Sequence, residues 1–84
     1  MRIRVNDGRE FEGTPLQIVQ EMKSIAFGHD SNSLDDYIDW VKRQTEEFMG
    51  LELTVQGETT AQKAESLVEE MLRVHLAARV GHDS

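Results

Sequence analysis

The chain has 84 residues, no cysteine, and 16 acids against nine Lys and Arg, a formal charge of −7 at pH 7. That length makes one domain, 1–84, with one modest core. Disulfides and thiolate metal sites are excluded, and no apolar run approaches the length needed to span a membrane.

Arg2 to Val5 alternates basic and apolar residues, Asn6-Asp7-Gly8 is a tight-turn signal, and alternation resumes from Arg9 to Glu12 around Phe11. A β-hairpin is expected, with Ile3, Val5 and Phe11 facing inward. Arg2 and Arg4 then share the outer face with Glu10 and Glu12, where opposite charges attract across the pair.

Thr14, Pro15 and Gln17 form a helix-start signature, a Thr-x-x-Gln capping box with proline at the first helical position. Ile18, Val19, Met22, Ile25 and Ala26 supply the apolar face, Gly28 terminates the helix, and His29 to Asn32 make a short polar loop.

Ser33 to Met49 holds the single tryptophan, the single tyrosine and the densest acidic run. Ser33 caps, with Asp36 three residues on in a shortened capping box. Asp35, Asp36 and Asp39 suit the positive end of a helix dipole. Leu34, Ile38, Val41, Thr45 and Phe48 recur at helical spacing, and Gly50 ends the helix. Trp40 falls about a third of a turn from that stripe, near Tyr37, Gln44 and Glu47. One reading makes it a boundary residue covering the edge of the core. The other makes it an aromatic anchor ringed by charge, as interface hot spots are.

Leu51 to Gln56 alternates strictly, with Leu51, Leu53 and Val55 on one side, and reads as a half-buried strand. Placed beside the first strand, Glu52 joins the face of Arg2 and Arg4, which puts the first strand in the middle of three. Gln56-Gly57-Glu58 turns the chain. Thr59 and Gln62 form a second capping box, and the last helix runs from Thr60 to about Arg79, ending before Gly81 and a frayed tail, His82-Asp83-Ser84. The expected fold is α+β, in the order β-β-α-α-β-α, a three-stranded sheet with helices packed on one face. The expected core is Ile3, Val5, Phe11, Ile18, Met22, Ile25, Ile38, Val41, Phe48, Leu53, Val55, Leu67, Met71 and Val74.

The chemistry-bearing residues do not assemble into a catalytic set. His29, His75 and His82 lack a nucleophile elbow. The pairs His29–Asp30 and His82–Asp83 lack metal-ligand spacing and a third ligand. The acid pairs Asp35-Asp36, Glu46-Glu47 and Glu69-Glu70 sit in polar helical settings and ionise normally. The arginines of the hairpin face glutamates, so no basic stripe for nucleic acid remains. No enzyme activity, cofactor or metal is expected, and direct nucleic-acid binding is not expected either.

The reading that remains is a protein-binding module. Asp36, Asp39, Trp40, Arg43 and Glu47 line the outward side of the central helix and would dock a basic surface. In length, acidity and lack of a catalytic constellation, the chain resembles the small phage and mobile-element inhibitors of the anti-CRISPR type, which share no common sequence motif. That resemblance implies a nucleoprotein complex as partner, with carboxylates standing in for phosphates, in a bacterial or phage setting. The N-terminus lacks the apolar core of a signal peptide, so a cytoplasmic location is expected. The alternative is a homo-oligomeric scaffold, a homodimer closed through sheet edges or the broad apolar arc of the last helix.

Overall fold

The computed structural model describes residues 1–26 and 33–81. The expected stop at Gly28, the loop His29 to Asn32 and the tail His82 to Ser84 lie outside the described residues. Strands β1 (Arg2–Val5) and β2 (Glu10–Glu12) form the expected hairpin, in antiparallel register Arg2↔Glu12, Ile3↔Phe11 and Arg4↔Glu10. Side chains alternate across a strand, so Ile3 and Phe11 enter the core. On the other face Arg2 meets Glu12 at 3.1 Å and Arg4 meets Glu10 at 2.7 Å. The turn is closed by the Val5 N–H donating to the Arg9 carbonyl, and by the Arg9 N–H donating to Asp7 Oδ1.

Helix α1 (Pro15–Ile25) starts on the complete Thr14–Gln17 capping box, and α3 (Thr60–Arg73) on the complete Thr59–Gln62 box. Helix α2 (Leu34–Met49) starts on Ser33, whose Oγ accepts the Asp36 N–H. It ends at Gly50, which has φ 67° in the left-handed region.

The α+β class and the three-stranded antiparallel sheet with β1 in the middle hold, but the third strand is another segment of the chain. It is β3 (Ala77–Arg79), paired with β1 in the register Arg4↔Ala78. The element order is therefore β-β-α-α-α-β. The last helix stops at Arg73, not Arg79. The His75 N–H donates to the Leu72 carbonyl and the Leu76 N–H to the Met71 carbonyl, with His75 at φ 65°. That is a Schellman stop with histidine where glycine is usual. The sequence carries no glycine there to announce it.

Leu51 to Gln56 is not a sheet strand. It lies along α3, held by side chains. Arg73 donates to the Glu52 carbonyl, Glu70 accepts the Thr54 N–H, and Ser66 Oγ accepts the Gln56 N–H. From Ser66 to Arg73 the helix rises about 10 Å. Residues 52 to 56 span about 13 Å when extended. The segment thus runs extended and antiparallel to the helix. Its expected alternation survives, with Leu53 buried and Glu52, Thr54 and Gln56 exposed. Glu52 does not join the sheet face.

The expected placement of every helix on the sheet also changes. α1 touches β2 and α3 touches β3, while α2 touches only the two helices among the described elements. Helix α2 packs on α1 and α3, and an apolar groove lies between it and the hairpin. Ile3, Ile18, Ile38, Leu53, Leu67 and Val68 are fully enclosed. Two expected core residues are exposed, Ile25 at 51% and Phe48 at 78%, while Val5, Met22, Val41, Val55 and Val74 are half-buried against the core. Ile25 and Phe48 each sit in the last turn of their helix, where the apolar stripe continues past the end of the core. Tyr37, which the helical period places near Trp40, is buried.

Candidate functional site: the outer face of α2

With α1 and α3 beneath it, α2 turns its far side to solvent. At 100° per residue, Asp36, Asp39, Trp40, Arg43 and Glu47 fall within an arc of about 100°. All five are exposed. The opposite arc carries Leu34, Ile38, Val41 and Thr45, of which Ile38 and Thr45 are buried. The helix is amphipathic and its polar arc gathers the five residues on one surface.

The aromatic pair is layered rather than side by side. Tyr37 is buried, and Trp40 stacks on it with ring centroids 6.0 Å apart and planes 25° from parallel. Burial raises the Tyr37 hydroxyl pKa above its ordinary value, which keeps the ring neutral. Trp40 is left 36% exposed, its position fixed from below.

The charges of α2 divide into two groups. Asp35 faces α3, accepting from Thr60 Oγ1 at 3.0 Å with Lys63 Nζ at 3.8 Å. Lys42 and Glu46 pair across one turn at 2.9 Å. Lys42 holds the Glu46 carboxyl below its ordinary pKa, with a smaller contribution from the Leu53 backbone. Among the described residues, no ion pair takes Asp36, Asp39, Arg43 or Glu47. The side chains that lock α2 down are thus distinct from those that face outward.

Two grooves flank this helix. One, of about 600 Å³, runs between Lys42 and Glu46 on one side and residues 50–55 on the other. Reading the sequence missed it, because it exists only where residues 51–56 leave the sheet. The second, of about 340 Å³, is mainly apolar, lies between α1, α2 and the hairpin turn, and has Asn6, Asp7 and Arg9 among its lining residues. Among the described residues, no three potential metal ligands converge. The candidate pairs His29–Asp30 and His82–Asp83 lie outside the described residues. No helix among the described residues is long and apolar enough to cross a membrane. The chain matches no family model, no curated protein and no solved structure.

Proposed function

We propose that the protein is a small, acidic, non-enzymatic binding module that docks a basic partner surface through the outer face of α2. The observation that supports this reading is the arc itself: Asp36, Asp39, Arg43 and Glu47 are exposed, without an ion pair among the described residues, around a half-exposed Trp40. An aromatic already stacked on a buried ring loses little freedom on docking. Three carboxylates against one guanidinium give the arc a net negative charge that steers a cationic surface and is screened by salt. The more specific version follows the anti-CRISPR resemblance. The carboxylates then occupy a channel that otherwise holds nucleic-acid phosphates in a nucleoprotein complex.

The test is capture of partners from a bacterial lysate by wild type, Trp40→Ala, and Asp36→Lys with Asp39→Lys. Both variants are expected to lose a specific partner by about tenfold or more. Capture that competes with added DNA or RNA supports the nucleoprotein version. Capture unchanged in both variants removes α2 as the binding face.

A further inference from the structure

The extended segment 51–56 has two edges, and α3 takes only one. In an extended chain the N–H and C=O of one residue point to the same side, and successive residues alternate. The even residues point toward α3: the Glu52 carbonyl takes Arg73, the Thr54 N–H takes Glu70, the Thr54 carbonyl takes Ser66 Oγ and the Gln56 N–H takes Ser66 Oγ. The odd residues, Leu51, Leu53 and Val55, therefore point the other way, into the groove of about 600 Å³. Among the described residues, no backbone–backbone hydrogen bond reaches them. Among the described residues, the Leu53 backbone has a neighbour there, the Glu46 carboxylate. An unpaired edge of this kind is a template for another strand.

The segment is also self-complementary. When it pairs antiparallel with its own sequence about Leu53, Leu51 faces Val55, Leu53 faces Leu53 and Glu52 faces Thr54. No like charges stand opposite one another, and the odd backbone groups meet in the hydrogen-bonded positions. The sheet edge at β2 differs, because Glu10 and Glu12 flank its single apolar residue. Immediately before the segment stand Phe48 and Met49, 78% and 54% exposed. In this register the far end of the opposing strand, around Gly57, passes beside them. A stable interface buries about 800 Å² on each partner. A five-residue edge falls short of that alone, and these two side chains supply further apolar area.

We propose that the outward edge of Leu51–Val55 pairs antiparallel with the same edge of a second copy of this chain, centred on Leu53, forming a two-fold dimer. Glu46 leaves the Leu53 N–H and keeps Lys42. This dimer uses the flank of α2 that carries Lys42 and Glu46, next to the arc around Trp40, and its test at Thr54 touches none of the arc's residues.

Thr54 provides the test, because its side chain is exposed and faces Glu52 of the other copy. Sedimentation equilibrium of the full chain from micromolar to millimolar concentration reads the dimer dissociation constant. Thr54→Glu sets two pairs of like charges opposite one another and is expected to weaken the dimer by about tenfold. Thr54→Lys sets two opposite-charge pairs and is expected to tighten it. Gln20→Glu and Gln20→Lys, on the exposed side of α1, make the same changes of net charge and are expected to leave the constant unchanged. A wild type that stays monomeric at millimolar concentration overturns the proposal. So does a dimer whose constant is unmoved at Thr54, or moves equally at Gln20.

Discussion

Glu70 stands in for a neighbouring strand beside Thr54, its Oε1 accepting the Thr54 backbone N–H at 2.8 Å. The same carboxylate receives Arg73 through two nitrogens, each at 2.9 Å. Arg73 first, and the Thr54 N–H second, pull the Glu70 pKa down to about 2.

A depressed carboxylate pKa stabilises the folded state above the ordinary value near 4.5 and loses that contribution as pH falls through about 2. Glu70→Gln is therefore expected to be less stable than wild type at pH 7, with the gap closing as pH falls from 4.5 toward 2. Urea unfolding of the two proteins across that range reads it. A gap constant with pH would mean that the charge of Glu70 contributes nothing.

His75 occupies a left-handed conformation at the end of α3, with φ 65°. A side chain with a Cβ atom is strained there by about 1 kcal/mol or more. His75→Gly is expected to stabilise the protein by about 1 kcal/mol and raise the melting temperature by several degrees. A fall in melting temperature would show that the imidazole contributes more than the strain costs.

Ile38 and Phe48 lie on the same expected stripe of α2, yet one is fully buried and the other 78% exposed. Ile38→Ala is expected to cost about 2–5 kcal/mol through lost burial and a cavity. Phe48→Ser is expected to change stability by less than about 0.5 kcal/mol. Chemical denaturation at dilution, where the chain is monomeric, compares them. Equal losses would place Phe48 in the core after all.

The hairpin and the helix starts were legible because their signals are local. Asn6-Asp7-Gly8 fixes a turn between two alternating runs, and Thr14–Gln17 and Thr59–Gln62 satisfy helix ends within three residues. The third strand was not legible. Ala77-Ala78-Arg79 has no strand-like alternation, and its pairing with β1 is a contact across the whole chain. Leu51 to Gln56 has the pattern of a strand, but Ser66, Glu70 and Arg73 supply its hydrogen bonds from α3. The outward arc of α2 followed from helical period alone. The groove beside it did not, since its far wall is the displaced segment.

The paired charges on the outer face of the sheet have a consequence for the whole molecule. The hairpin and β3 carry four arginines against three acids, while the chain as a whole has a formal charge of −7. The acidic excess therefore belongs to the rest of the chain, and α2 alone carries five acids against Lys42 and Arg43. The protein is an electrical dipole with its negative pole toward the helices. In the field of a cationic surface such a dipole turns its helical side forward before contact.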